Sequence, residues 1–260
     1  MSRRIRFTGD IARKSVPRDL LKIELEKTKR SRLIGETTGF FYVPEVKGFN
    51  EQQSTIDFEY LDGLHTIQEV AISNGPQLLD IFTRIGAALF AIHDNLALPD
   101  DMKKNLPNEW MYSDEDNVFL HGDFTAHNIC LHKASNRIVI LDWSTADFLG
   151  GRHTYGSRYF DITWFIYFMY HFLPAKSIAR WDAKGMADAF IDGYTADGRG
   201  QLELSTFRRF HIKTEMLKRK KFWSGSKSYS WYKRMGYLGL WAWKRYRYHC
   251  YEPRSLNRYS

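Results

Sequence analysis

The chain has 260 residues, 43% of them hydrophobic and 16% aromatic, with two cysteines and a formal net charge of +8. That composition excludes a disordered polymer and a disulfide framework, and the length suffices for one large domain or two lobes. The longest apolar run, residues 162–173, falls short of the roughly 20 residues that span a bilayer, so it reads as a buried core helix.

The start, MSRRIRFTGD, has no apolar stretch behind its basic residues, so no secretory signal is expected. Alternating runs at Arg4 to Thr8 and Ile11 to Val16 predict two strands about a turn at Gly9-Asp10. After Pro17, a helix is expected from about Asp19 to Ile34. Phe40 to Val46 and Ser54 to Leu61 read as a second strand pair. Leu78, Phe82, Ile85, Leu89 and Ile92 keep one apolar stripe through a helix over Gln77 to Leu96. A polar, proline-bearing loop follows from Leu98 to Asp116, and further helices are expected at Asp161 to Phe172 and Lys184 to Tyr194.

Between them, Leu120 to Trp143 reads LHGDFTAHNICLHKASNRIVILDW. Asp123 and Asn128 stand five residues apart, and Asp142 follows Asn128 by fourteen, closing the apolar run Ile138 to Leu141. Phosphoryl transfer needs one carboxylate near the accepting hydroxyl and oxygen ligands for the magnesium that bridges nucleotide phosphates. Asp123 suits the first task. Asn128 and Asp142 are hard oxygen donors suited to the second. His121 is read as a packing residue that bonds the backbone, and no zinc spacing joins His127 and His132. Turn residues are the bland reading of Asp123, Asn128 and Asp142, since Asp and Asn favour turns.

These residues resemble the catalytic core of the aminoglycoside phosphotransferase and choline kinase group, small-molecule relatives of the protein kinases. FEYLDG at Phe58 to Gly63 resembles the group's interlobe hinge, IGAALFAIHD at Ile85 to Asp94 its long helix, and RYFDITWF around Asp161 its later supporting helix. The similarity spans roughly Ile11 to Phe168. It implies an α+β, bilobal protein-kinase-like fold with an abbreviated β-rich N-lobe and a mainly helical C-lobe. The expected division is 1–61 for the nucleotide-binding lobe, 62–204 for the catalytic lobe and 205–260 for a C-terminal extension.

The resemblance also implies ATP and Mg2+ as cofactors. Ile11-Ala12-Arg13-Lys14 resembles the strand that delivers a lysine to the phosphates, and Glu26 or Glu24 would hold its ammonium, with Glu26 preferred. The backbone of Glu59 to Leu61 would meet a purine edge, and Asp161 would brace the catalytic loop. Asp147-Phe148 is set aside as metal ligand, because Asp142 has the better spacing. The chain departs from the family in front: ten residues precede Ile11, with Gly9 their sole glycine, where a phosphate-covering loop is usual. Gly122 and Thr125 stand where protein kinases commonly carry Arg and Lys, and eighteen residues separate Asp142 from Asp161. Both departures point to a small hydroxylated acceptor over a protein.

From Phe207 onward there are fifteen Lys and Arg against Glu215 and Glu252, and Trp223, Trp231, Trp241 and Trp243 are half of the tryptophans. Three readings stand: a helix pair packing its aromatics on the large lobe, which leads; a peripheral membrane contact; and, behind it, nucleic-acid binding. The expectation is an ATP-dependent kinase that phosphorylates a hydroxyl of a small molecule, a sugar or lipid-linked sugar among the options. It would be cytoplasmic, with peripheral contact at the inner membrane face as an option. The competing reading is a non-catalytic kinase-like module that uses the basic end on membrane or nucleic acid.

Overall fold

In the computed structural model, residues 5–73, 75–145, 151–171, 181–225 and 231–256 are described, with backbone alone for 218–225 and 231–238. Ile5–Thr8 (β1) and Ile11–Ser15 (β2) pair antiparallel, Thr8 opposite Ile11, around the expected two-residue turn. Gly9 there has φ +61°, a conformation that costs glycine little and most residues more. Helix α1 (Leu21–Thr38) follows and stops at Gly39, whose left-handed backbone lets its N–H reach Gly35 O.

The next segment departs from expectation. Of the expected strand Phe40 to Val46, only its end joins the small sheet: Glu45 O accepts from the Glu59 N–H and Val46 lies opposite Phe58. Tyr42 instead bridges Val139 in parallel, its N–H donating to Ile138 O and its carbonyl accepting from Ile140. Pro44 has no N–H for a ladder, and the small-sheet strand begins only at Val46–Asn50 (β3). Thr55–Glu59 (β4) completes an antiparallel sheet of order β1-β2-β4-β3. Val16, Leu20, Leu21, Leu25 and Ile56 form a small core between α1 and this sheet.

Beyond the hinge come Leu64–Thr66 (β5), Ile67–Ser73 (α2) and Leu78–Asn95 (α3). The 98–116 region is irregular apart from three 3-10 turns. Asn117–Phe119 (β6) leads into the loop that carries Asp123 and Asn128, and Ile129–His132 (β7) with Arg137–Ile140 (β8) makes the hairpin beyond it. Strands β5, β7 and β8 form one sheet, while β6 pairs with Tyr155–Ser157 (β9). Helix α4 (Tyr159–His171) is buried at every position except His171, as a core helix should be. Helix α5 (Ala183–Thr195) lies tight on α3: a Cβ at Gly193 would come within 1.9 Å of Thr83 O.

The basic end folds as Leu204–Gly225 (α6) and Trp231–His249 (α7). Phe207 meets Tyr251, His211 stacks on Tyr248 and Glu215 pairs with Arg245, so the two helices run antiparallel, side by side. Phe207, Phe210, Tyr248 and Tyr251 enter the same core as α3, α4 and α5. Packing therefore absorbs these aromatics. Ile212, Met216, Trp243 and Tyr246 remain exposed, and the side chains of Trp223 and Trp231 lie outside the described residues. The lobes together form the bilobal, kinase-like architecture expected from the sequence.

Candidate active site

The loop between β6 and β7 is held from below by Asp161, in the first turn of α4. Its Oδ2 accepts the His121 N–H at 2.8 Å and its Oδ1 the Gly122 N–H at 2.9 Å. Burial would raise this carboxyl, yet the hydrogen bond from His93 and those from the loop amides keep it below its ordinary value. Gly122 has φ +86°, and a Cβ there would meet Thr145 Oγ1 at 2.8 Å. Only glycine fits that backbone comfortably.

His121 is fully buried, and burial lowers its pKa to about 4, so the ring is neutral. Its Nδ1 accepts the Asp123 N–H, which leaves Nε2–H to donate to Leu141 O at 3.1 Å. The ring thus ties the loop to the strand end that carries Asp142.

Asp123 is gripped at both carboxylate oxygens. Asn128 Nδ2 donates to Oδ2 at 3.0 Å and Trp164 Nε1 to Oδ1 at 3.1 Å. Asn128 Nδ2 also reaches Asp123 O, and Asn128 O accepts the Leu141 N–H. Asp142 follows β8 with φ +56°, a left-handed conformation that Asp tolerates better than most residues. Its Oδ1 accepts from Ser144 Oγ at 2.5 Å and from Lys14 Nζ at 2.8 Å.

Lys14, 5% exposed on β2, also donates to Glu24 Oε1. The sequence preference for Glu26 is therefore corrected. Glu26 lies about 200° further round α1 at 3.6 residues per turn, and it pairs with Arg30 at 2.5 Å, facing away from the sheet. Glu24 is 2% exposed and faces the lysine.

A cleft of about 460 Å³ is lined by Lys14, Glu24, Asn128 and Asp142, while Asp123 is not part of its lining and meets it through Asn128. Ala12, Val43, Phe58, Leu64 and Ile140 give it apolar walls. Glu59 and Leu61 border it at the hinge. The Glu59 carboxylate accepts from Tyr42 OH and the Glu45 N–H, which fixes the strand end. The Leu61 N–H, past the last ladder bond, has no partner among the described residues. Asp147 and Phe148 lie outside them.

The profile of the phosphotransferase enzyme family matches residues 57–204, more than half of the chain. The chain belongs to that family. Within the matched span of this phosphotransferase-family chain fall Asp123, Asn128, Asp142 and Asp161, whereas Lys14 and Glu24 precede it. Among solved structures, a choline/ethanolamine kinase family protein from Mesorhizobium loti is 14% identical with a TM-score of 0.57, over 98% of this chain and 86% of its own. A glucosamine kinase in complex with glucosamine, ADP and inorganic phosphate is 12% identical, with a TM-score of 0.56 over 83% and 74% of the two chains. An aminoglycoside-3'-phosphotransferase of type VIII is 16% identical, with a TM-score of 0.53 over 80% and 84%. These likenesses establish the fold. No curated protein matches.

Sequence reasoning missed Trp164 and Lys27. Trp164 carried a signal, standing three residues after Asp161 and so on the same helical face.

Proposed function

We propose that the chain is a kinase that moves the γ-phosphate of ATP to a hydroxyl of a small molecule, with a sugar or lipid-linked sugar as the first acceptors to test. One observation carries this reading: Lys14, Asn128 and Asp142 line one cleft, and Asn128 hydrogen-bonds Asp123.

Asp123 would orient the acceptor hydroxyl and accept its proton as the new O–P bond forms and the bond to the ADP oxygen breaks. Trp164 and Asn128 keep its carboxylate from turning away. Lys14, steadied by Glu24, would lie against the nucleotide phosphates, and the hinge amide of Leu61 would meet a purine edge. Among the described residues no group of three His, Cys, Asp or Glu side chains forms a ready metal cage. Asn128 and Asp142 nevertheless fit magnesium, which takes one or two protein oxygens and completes its shell with water and phosphate. Bound there, the cation would offset charge on the transferring group.

The decisive assay follows Mg2+-dependent transfer from labelled ATP to a panel of sugars and glycolipids. Asp123→Asn should lower transfer by about 10²–10⁴-fold while ATP with Mg2+ still raises the melting temperature. Unchanged transfer would eliminate Asp123 as base. Stabilisation by ATP without transfer to any acceptor would favour the non-catalytic reading.

A cytoplasmic setting, which supplies ATP, belongs to the proposal. No described helix is long and apolar enough to cross a membrane. Exposed Ile212, Met216, Trp243 and Tyr246 on the outer faces of α6 and α7 favour a peripheral contact with anionic lipid as a secondary feature. Co-sedimentation with anionic but not neutral vesicles is the expected result, and equal partition would remove it.

A further inference from the structure

Lys27 stands one turn beyond Glu24 on α1 and exposes none of its surface. Its Nζ donates to the carbonyl oxygen of His121 at 2.8 Å, across 94 residues of chain. The transfer chemistry has no direct use for it.

A buried ammonium is costly unless charges and hydrogen bonds compensate. Asp161, Glu24 and Asp142 surround Lys27 and favour its charge, Lys14 opposes it, and burial outweighs them, lowering its pKa to about 8. Methionine would fill similar space without desolvating a charge, but it would leave the His121 carbonyl unpaired and the nearby carboxylates without their cation, which costs stability. The cation therefore answers a buried carbonyl and the charges of nearby carboxylates, which an apolar chain would leave unmet.

What it holds is one peptide. The His121 N–H and the Gly122 N–H are fixed by Asp161 from α4, and the carbonyl between them is fixed by Lys27 from α1. The turn that presents Asp123 is gripped from both sides. Glu24 and Lys27 are three apart on one helical face, so the grip that sets the turn also sets the carboxylate facing Lys14. Arg30 adds a second tie from α1 to the large lobe, reaching Ala97 O at 2.9 Å.

We infer that Lys27 is a positioning residue that registers helix α1 against the His121–Asp123 turn, holding the Lys14–Glu24 pair and the Asp123 carboxylate at a fixed separation. The inference deepens the kinase reading and rests on it for its kinetic consequence. Its structural half, a tied loop, stands on geometry alone.

The test compares the full-length chain with Lys27→Met and Lys27→Gln by melting temperature, hydrogen–deuterium exchange and steady-state kinetics. Lys27→Met should remain folded with a lowered melting temperature, and amides of residues 120–128 should lose more protection than those of the α3–α5 core. Its kcat should fall about tenfold, the effect of losing roughly one good hydrogen bond in the transition state, with ATP affinity changed by less than about threefold. Lys27→Gln keeps an N–H donor and should recover part of the protection. Wild-type exchange and kcat in Lys27→Met would overturn the inference. So would the unfolding of both variants, which would assign Lys27 to the fold alone. Faster loop exchange in a protein whose wild type transfers no phosphate would sink the kinase reading and leave the tie intact.

Discussion

Trp164 donates its indole N–H to Oδ1 of Asp123 at 3.1 Å from a ring that is itself 1% exposed. A side chain so buried cannot touch an acceptor, and its contribution is to aim the carboxylate. Trp164→Phe keeps most of the ring volume and removes the donor. A hydrogen bond to a charged group is worth roughly 1.5–3 kcal/mol, so transfer should fall by about 10–100-fold with ATP binding retained. Steady-state kinetics beside ATP titration checks this, and an unaltered kcat would mean that Asn128 alone orients Asp123.

Glu24 and Glu26 give a matched pair of variants. Glu24→Gln weakens the support of Lys14 and should lower kcat/KM for ATP by about tenfold or more, since a buried ion pair loses one partner. Glu26→Gln disturbs only the half-exposed pair with Arg30, of a kind worth about 0–1 kcal/mol, and should leave kinetics within about twofold. The opposite ranking would reverse the assignment made here.

Acid should destabilise the fold before carboxylates titrate. Burial lowers the pKa of His121 to about 4 and of His211 to about 3, whereas both take protons near 6.5 when unfolded. Below pH 6.5 the unfolded chain binds more protons, so stability falls as pH falls. Each histidine contributes a slope of up to about 1.4 kcal/mol per pH unit until its folded pKa is reached. Urea midpoints at pH 7.5 and 5.0 should differ accordingly. Equal midpoints would show that these rings are not buried neutral.

Gly193 marks the closest approach of α5 to α3, with no room for a methyl group beside Thr83 O. Gly193→Ala should destabilise by about 1–3 kcal/mol through overpacking, seen as a lower melting temperature with the Km for ATP unmoved. A gain in stability would show that the helices can separate without loss.

Much of this architecture was legible because its signals are local. The Gly9-Asp10 turn, the stripe through Leu78 to Ile92 and the loop around Asp123 depend on short-range spacing, and each lies where its pattern put it. The failures were of partnership. Phe40 to Val46 reads as a strand of the small sheet, yet Tyr42 spends its ladder bonds on β8 of the other lobe, which no local pattern records. Glu24 and Glu26 are equally plausible on a helix drawn in isolation, and only the rotation of α1 over the sheet separates them. Lys27 reads as one more cation on a charged helix until its carbonyl partner, contributed from far along the chain, is seen.

Lys14 Nζ rests on Oδ1 of Asp142, the carboxylate that would help hold the magnesium. At rest the Lys14 ammonium lies between two carboxylates, Glu24 and Asp142, so a bare cation must compete with it for Asp142. Phosphate oxygens change that balance by drawing the lysine toward themselves. Metal and nucleotide should therefore enter as a single complex, with calorimetry showing feeble uptake of free Mg2+ and strong uptake once ATP is present.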